Sequence, residues 1–198
     1  MFTGIIQAVG RIESVKPQGN DVSLTIAAET LELADVALGD SIAVNGTCLT
    51  VEQFSANSFQ VHVSAETLAC TTSLDATGEV NLEKALRLAD RLSGHLVSGH
   101  VDGVGEVARF ETVGDCWLLA VQAPHSISRY IAVKGSITVN GVSLTVNSIE
   151  QDVFSVNLIP HTLQVTNLNN LQTGSKVNLE VDLIARYLDR MQQWESES

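Results

Sequence analysis

Basic residues are scarce in this chain of 198 residues. It has 11 Lys and Arg against 23 Asp and Glu, which gives a formal net charge of −12 at pH 7. A surface with this excess of negative charge repels the phosphate backbone of nucleic acid and the anionic face of a membrane. We therefore expect neither nucleic acid nor a membrane as a partner.

Long hydrophobic runs are also missing. No stretch approaches the roughly 18 consecutive apolar residues that indicate a transmembrane helix. The first residues have no basic stretch followed by an apolar run, which is the pattern of a secretory signal. We therefore expect a soluble protein that is not exported.

Cysteine is rare and widely spaced. The chain has three, Cys48, Cys70 and Cys116, an odd number with no closely spaced pair. They fit neither a disulfide framework nor a zinc site. Free thiols suit a reducing compartment, so we expect a cytoplasmic protein.

The sequence does contain a long internal repeat. Residues 45–51 (Asn-Gly-Thr-Cys-Leu-Thr-Val) are echoed by residues 140–146 (Asn-Gly-Val-Ser-Leu-Thr-Val), an offset of 140 − 45 = 95. The same offset pairs Gly4 with Gly99 and Phe59 with Phe154. This period is too long for a solenoid repeat and indicates two self-contained domains.

Apolar residues within each copy mostly alternate with polar ones, as at Val22, Leu24 and Ile26. This period of two is typical of half-buried strands, and it predicts a small antiparallel barrel in each copy. Each copy also has an Asn-Gly dipeptide, at residues 45–46 and 140–141. Both dipeptides predict two-residue type I′ hairpins, whose central positions need positive φ.

Two other segments have a helical period. In residues 81–92 the apolar positions are Leu82, Ala85, Leu86 and Ala89, which predicts a helix that caps the first barrel. We place the end of the first domain just after it, near residues 93–94.

The last segment, 183–198, has no counterpart in the first copy. Its apolar residues alternate between spacings of three and four, at Ile184, Tyr187, Met191 and Trp194. The other side is polar, with Arg186, Asp189, Arg190 and Gln193. A helix packed on its own barrel is one explanation of this seam, and a subunit contact is the one we favour.

Positions where the two copies differ chemically are not explained by a shared scaffold, and they are the candidates for chemistry. The differing pairs are Cys48 and Ser143, Ile5 and His100, and Ala85 and Asp182. The first copy thus has a thiol, whereas the second has an imidazole and a carboxylate.

Each candidate also has a structural alternative. Cys48 could be a small buried hydrophobe, and Asp182 could cap the helix that follows it. His95 and His100 could form a metal pair, but no Cys, Asp or Glu between them completes a ligand set. We therefore expect no metal site.

Several motifs together carry a resemblance to a known family. They are residues 1–6 (Met-Phe-Thr-Gly-Ile-Ile), the paired Asn-Gly elements, residues 94–100 (Gly-His-Leu-Val-Ser-Gly-His) and residues 157–163 (Asn-Leu-Ile-Pro-His-Thr-Leu). Because these motifs occur together in this order and spacing, the chain resembles the riboflavin synthase/lumazine protein family over essentially its whole length.

The resemblance implies an all-β fold of two tandem homologous six-stranded antiparallel β-barrels plus a C-terminal helix. The domains would be an N-terminal lumazine-binding barrel (1–93), a C-terminal lumazine-binding barrel (94–182) and an oligomerisation helix (183–198). It further implies a homotrimer in which each active site lies between the first barrel of one subunit and the second barrel of its neighbour. Association with lumazine synthase is left open.

The activity implied by the resemblance is riboflavin synthesis. Two molecules of 6,7-dimethyl-8-ribityllumazine would dismutate by transfer of a four-carbon unit, giving riboflavin and 5-amino-6-ribitylamino-pyrimidinedione. Each site would hold two lumazines and need no cofactor. Two alternatives are a non-catalytic lumazine or flavin antenna protein and a structural β-barrel interaction module, although the latter does not explain the chemical difference between the copies.

The resemblance also implies ligand contacts in both copies. In the first copy these are Gly4, Ile5, Ile6, Ser41, Cys48, Leu49, Thr50, His62, Val63, Ser64, Ala65, Glu66 and Thr67. In the second they are Gly99, His100, Val101, Lys134, Ser143, Leu144, Thr145, Asn157, Leu158, Ile159, Pro160, His161 and Thr162.

Four residues would carry the implied chemistry. His100 is our choice for the base that removes a proton from the C7 methyl group of one lumazine. Cys48 would attack C7 of the other lumazine as a thiolate, or would position a water that does so. Ser143 and Asp182 would polarise and orient the donor.

Overall fold

Two closed antiparallel barrels of six strands each account for most of the chain, as the alternating pattern and the resemblance predict. The structure is a computed structural model that describes residues 1–197, so Ser198, the last residue of the expected helical segment, lies outside the described residues. The first barrel consists of β1 (Ala8–Gln18), β2 (Asp21–Ala27), β3 (Ser41–Val44), β4 (Thr47–Phe54), β5 (Ser58–Val63) and β6 (Gly78–Lys84), with helix α1 (Ala65–Cys70) after β5.

The second barrel repeats this plan. It consists of β7 (Gly103–Val113), β8 (Cys116–Gln122), β9 (Ser136–Val139), β10 (Val142–Glu150), β11 (Val153–Leu158) and β12 (Lys176–Val181). Its helices are α2 (His125–Ser128), α3 (Pro160–Val165) and a 3₁₀ turn (Asn167–Asn170), and helix α4 (Leu183–Glu197) follows the barrel. The order of neighbouring strands is β1-β2-β5-β4-β3-β6 in the first barrel and β7-β8-β11-β10-β9-β12 in the second, so the topologies are the same.

Each barrel has its own hydrophobic core, built from the inward-facing residues of the alternating strands. Leu24, Ile26 and Phe59 are fully buried in the first, and Val121 and Phe154 in the second. Because Phe59 and Phe154 are counterparts in the repeat, the two cores are filled by equivalent side chains.

The two Asn-Gly turns have the predicted backbone and meet each other. Asn45 and Gly46 have φ values of 46° and 81°, and Asn140 and Gly141 have 48° and 80°. A Cβ added to Gly46 would lie 2.7 Å from the backbone nitrogen of Gly141. Glycine is therefore needed here both for its conformation and for the close approach of the barrels.

Buried asparagines join the barrels on either side of this contact. The amide nitrogen of Asn81 donates to the carbonyl oxygen of Asn140 at 3.0 Å, and that of Asn178 donates to the carbonyl oxygen of Asn45 at 3.0 Å. The bonds are counterparts in the repeat, so the barrels are related by an approximate twofold axis.

The prediction of a helix over residues 81–92 is wrong. Strand β6 continues to Lys84, and the residues after it form turns, with Leu88 and Leu92 exposed. The pattern misled because residues 80–83 are buried on both faces. One face points into the core, and the other contacts the second barrel at Asn81 and the N-terminal loop at Glu83. Such double burial removes the alternation that identifies a strand.

Helix α4 forms where it was predicted, but its apolar seam faces outward. Ile184, Tyr187, Met191 and Trp194 are each at least 60% exposed. Its polar side faces the second barrel instead, where Asp189 accepts a hydrogen bond from the Tyr130 hydroxyl at 2.8 Å. The alternative in which this seam packs on the helix's own barrel is therefore wrong.

Candidate active site

Two loops, residues 1–7 before β1 and residues 95–102 before β7, each lie against the barrel that they do not lead into. We call them the crossed loops. The carbonyl oxygen of Gly4, ahead of the first barrel, accepts a hydrogen bond from the backbone N–H of Ser143 in the second, at 2.8 Å. The carbonyl oxygen of Gly99, ahead of the second barrel, accepts one from the N–H of Cys48 in the first, also at 2.8 Å. The repeat thus places each loop against a candidate catalytic residue of the other copy.

Glycine makes this approach possible. Gly4 and Gly99 have φ values of 76° and 79°, in the left-handed region that other residues rarely adopt. An added Cβ would lie 2.6 Å from the Cβ of Ser143 or of Cys48, respectively. Any side chain at either position would push the loop away from the site.

A buried glutamate from the loop's own barrel holds each loop in place. Glu180 on β12 accepts hydrogen bonds from the backbone N–H groups of Ser98, Gly99 and His100 and from the Ser98 hydroxyl, at 2.6 to 3.0 Å. Glu83 on β6 does the same for the N–H groups of residues 3 and 4 and for one hydroxyl, at 2.7 to 3.0 Å. Burial raises the pKa of both carboxyls, and the surrounding donors oppose that shift.

These glutamates were missed by the sequence analysis, although the repeat contains a signal for them. Glu83 and Glu180 end matching Val-Asn-Leu-Glu segments. They are only 3% and 2% exposed. A charged residue repeated at the same place in two matching strand segments indicates a buried, satisfied carboxylate.

The structure brings Cys48 and His100 into one region. Cys48 is half-buried beside Phe2, and Gly99, the residue before His100, lies against it. The backbone of His100 is fixed by Glu180, while its exposed ring has no hydrogen-bond partner among the described residues. The imidazole is therefore available to a ligand.

Ser143 lies in the equivalent region of the other copy and has an additional partner. Its hydroxyl is 2.7 Å from Nδ1 of His95. Burial lowers the pKa of His95, and the nearby charge of Asp182 acts in the opposite direction. The Nε2 atom of the same ring is buried without a hydrogen-bond partner.

Asp182 has one of the two roles that the sequence left open, that of a cap for helix α4. Its carboxylate accepts the backbone N–H of Ile184 at 3.0 Å, so it does cap helix α4. The same charge acts on His95, which the sequence analysis considered only as a partner of His100 in a metal pair. Among residues 1–197, no group of three or more His, Cys, Asp and Glu could hold a metal ion.

The other expected ligand residues of the first copy differ in what they can offer. Leu49 and Val63 lie in the barrel core, so only their backbone is available to a ligand. The half-buried residues are Ile6, Ser41, His62, Ser64 and Thr67, and the exposed ones are Ile5, Thr50, Ala65 and Glu66. Ser41 and Thr50 pair across strands β3 and β4, next to Cys48 in the sheet.

The second copy repeats this division. Leu144 and Leu158 lie in the core. Val101 and Thr162 are half-buried, and the exposed residues are Lys134, Thr145, Asn157, Ile159, Pro160 and His161.

Lys134 has a φ of 67°, whereas its counterpart 95 positions earlier is Gly39, with a φ of 91°. The second copy thus has a lysine where the backbone favours glycine, as often occurs at functional positions.

The duplicated fold and the crossed loops define a class of tandem ligand-binding barrels. The Lumazine binding domain family matches the chain twice, at residues 3–85 and 98–182. The chain is 46% identical over 193 residues to the riboflavin synthase of Photobacterium phosphoreum, covering 96% of this chain and 88% of that one. It is 46% identical over 192 residues to that of Bacillus subtilis (strain 168), covering 96% and 89%. The chain belongs to the riboflavin synthase family of enzymes.

Solved structures of a related protein have the same fold. LumP complexed with riboflavin has a TM-score of 0.84 at 27% identity, covering 91% of this chain and 99% of that one. LumP complexed with 6,7-dimethyl-8-(1'-D-ribityl) lumazine has a TM-score of 0.81 at the same identity and coverage. Among the described residues, no helix has the length and apolar character to span a membrane.

The conformation of Lys134 leads to a test of its role. Lys134→Gly should leave the free energy of unfolding unchanged or raise it by up to about 1 kcal/mol, because relief of the left-handed backbone offsets the flexibility of glycine in the unfolded chain. Its KM should rise with the loss of the cation. Lys134→Ala is the matched control, because it loses the cation and keeps the strain. Denaturant unfolding in which the glycine variant is less stable than the alanine variant would contradict this account.

Proposed function

We propose that this chain catalyses the dismutation of two molecules of 6,7-dimethyl-8-ribityllumazine. A four-carbon unit passes from one to the other and leaves riboflavin and 5-amino-6-ribitylamino-pyrimidinedione. The observation that carries the proposal is the chemical inequality of two geometrically equivalent regions. One has Cys48 and His100, and the other has Ser143, His95 and Asp182.

Each barrel binds one lumazine near its crossed loop. The backbone groups and the hydroxyls of Ser41, Thr50 and Thr145 suit a polar heterocycle with a ribityl chain. The sites are completed between subunits, with the first barrel of one facing the second barrel of the next. We assign residues 1–93 and 94–182 to the two binding domains and 183–198 to assembly, in a cytoplasmic homotrimer. Association with lumazine synthase stays a prediction.

Proton transfer begins the reaction. The C7 methyl group of a lumazine is acidic because its anion delocalises into the ring, so a base with a near-neutral pKa suffices. His100, with its exposed ring, takes this proton. His95 and Ser143 form a hydrogen-bonded pair in the region opposite that of Cys48. Together with Asp182, which stabilises any positive charge on the His95 ring, they polarise and orient the donor lumazine.

Cys48 supplies the nucleophile at C7 of the second lumazine. The thiol is half-buried beside the crossed loop and forms no disulfide. A covalent adduct at C7 prepares this lumazine to accept the four-carbon unit and releases the thiol at the end of the cycle. Holding both substrates face to face supplies a further large part of the acceleration through proximity.

Purified protein incubated with the lumazine tests the overall proposal. The enzyme should form one riboflavin for every two lumazines consumed, which the absorbance of riboflavin reports. An antenna protein would bind the lumazine without consuming it. The 41–46% identity to riboflavin synthases, against 27% to LumP, supports the enzyme.

The role of Cys48 is tested by substitution with serine, since Ser143 occupies the equivalent position of the other barrel. Cys48→Ser should fold normally and bind riboflavin nearly as well as the parent, but it should lose most turnover because a hydroxyl is far less ionised than a thiol. Steady-state kinetics should show kcat reduced by about 100-fold or more. Cys70→Ser and Cys116→Ser serve as controls and should match the parent. Full turnover in Cys48→Ser would assign the attack on C7 to water.

The two histidines are distinguished by the exchange of the C7 methyl protons, followed by proton NMR in heavy water. His100→Gln should slow exchange by about 100-fold, because the base is lost. His95→Gln should slow turnover with a smaller effect on exchange.

Burial lowers the pKa of His95, so its neutral form persists to lower pH than that of a free histidine. If His95 must be neutral, the acid limb of kcat should move to lower pH or disappear in His95→Gln, because the group that is protonated there is gone. Rapid exchange in His100→Gln would refute the assignment of the base.

The trimer is tested through the exposed seam of α4. Deletion of residues 183–198 should give monomers in analytical ultracentrifugation at micromolar concentration. Tyr187→Asp, which places a charge in the seam, should do the same, because burial of an unpaired charge is unfavourable. Gln192→Asp adds the same charge away from the seam and should leave the trimer intact. A parent protein that sediments as a monomer would rule out this assembly.

A further inference from the structure

The first barrel anchors its ligand segment in a way that the second does not. This anchored segment, residues 62–67, leads from the end of strand β5 into helix α1. The carboxylate of Asp21, at the start of β2, lies 2.8 Å from Nε2 of His62 and accepts the N–H of Ala65 at 2.8 Å. One carboxylate thereby joins the end of a strand to the first turn of the helix.

Thr67, within the same segment, is held by a second set of bonds. The Ser64 hydroxyl accepts the N–H of Thr67 at 3.2 Å and lies 3.0 Å from its hydroxyl. The carbonyl of Thr67 accepts the Thr71 hydroxyl at 2.7 Å. With Asp21 included, both ends of the segment are fixed.

The second barrel lacks the Asp21-centred bonds at the corresponding positions, 95 residues on. Cys116 replaces Asp21, Asn157 replaces His62, and Pro160, which has no N–H, replaces Ala65. The position of Ser64 is taken by Ile159, and α3 has no side-chain cap. The threonine bond is common to both, since Thr166 donates to the Thr162 carbonyl at 2.6 Å. So is the first backbone bond of each helix, from Leu68 to Ser64 and from Leu163 to Ile159.

Closure of the barrel does not require this carboxylate. Strands β2 and β5 are already paired through backbone bonds that include Ser23 with His62, and the second barrel closes around the same strand order without an equivalent of Asp21. The side chains of Asp21 and His62 are each 35% exposed, and pairs this exposed contribute little to global stability. The effect of the pair is therefore local to the segment.

We propose that Asp21 is a positioning residue, which fixes residues 62–67 through His62 and the Ala65 N–H and makes the two lumazine sites of the chain unequal. This rests on the proposed function, in which that segment contacts a lumazine. A segment already fixed before binding loses less conformational freedom when the ligand arrives. The bond from His62, followed by that from Ala65, holds the pKa of Asp21 below its usual value, so the carboxylate is charged at neutral pH.

The test uses the full-length protein and riboflavin as the probe. Asp21→Asn keeps the shape of the side chain and removes its charge and one acceptor. It should weaken half of the riboflavin sites by about five- to tenfold in fluorescence titration and raise KM similarly, with kcat within about twofold of the parent. Cys116→Ser, at the matching position of the second barrel, should bind as the parent does.

A second variant separates positioning from a structural role. His62→Asn removes the ring bond and leaves the Ala65 bond, so its loss of affinity should be smaller than that of Asp21→Asn. The double variant should be no worse than Asp21→Asn alone, because the two side chains act together. A merely structural role would lower the melting temperature of each variant and leave KM unchanged.

The outcomes distinguish this inference from the proposed function. If the parent turns over and Asp21→Asn and His62→Asn bind riboflavin within twofold of it, the inference is overturned and the function stands. If both classes of site weaken equally, the proposed inequality is overturned. A parent that neither binds riboflavin nor forms it overturns both.

Discussion

The arrangement of the molecule depends on two buried carboxylates, Glu83 and Glu180. Each lies at the end of a barrel's last strand and is surrounded by backbone N–H groups and a hydroxyl of the loop that precedes the same barrel. Burying a carboxylate is costly unless its oxygens are fully hydrogen-bonded, and here they are. Because a carboxylate in this environment needs those donors, the bonds favour the observed position of each loop. That position brings Gly4 and Gly99 against the opposite barrel.

A consequence is that neither barrel alone contains a complete region of the site. Cys48 lies in the first barrel, but the loop against it comes from the second, and the reverse holds for Ser143. The repeat therefore supplies two equivalent frames that have different side chains. The Asp21 and His62 pair extends this divergence from the groups that we propose react to the segment that we propose holds the ligand.

The sequence predicted those features whose cause is local. The Asn-Gly turns follow from the backbone freedom of two adjacent residues, and the strands follow from period-two burial. Prediction failed at residues 81–92, where the core buries one face of β6 and contacts outside the barrel bury the other. It also missed the contact of His95 with Ser143, 48 residues away, because spacing along the chain does not reveal which distant side chains meet.

Helix α4 joins the site to the assembly that we propose. Its polar side holds the second barrel, where Arg186 pairs with Asp102 at 2.9 Å and donates to the carbonyl oxygen of His100 at 2.8 Å. His100 is thus held at its N–H by Glu180 and at its carbonyl by the helix. An apolar seam left exposed on the other side indicates a protein contact. A partner that covers this seam would also restrain Arg186, and would thereby couple the subunit contact that we propose to the position of the proposed base.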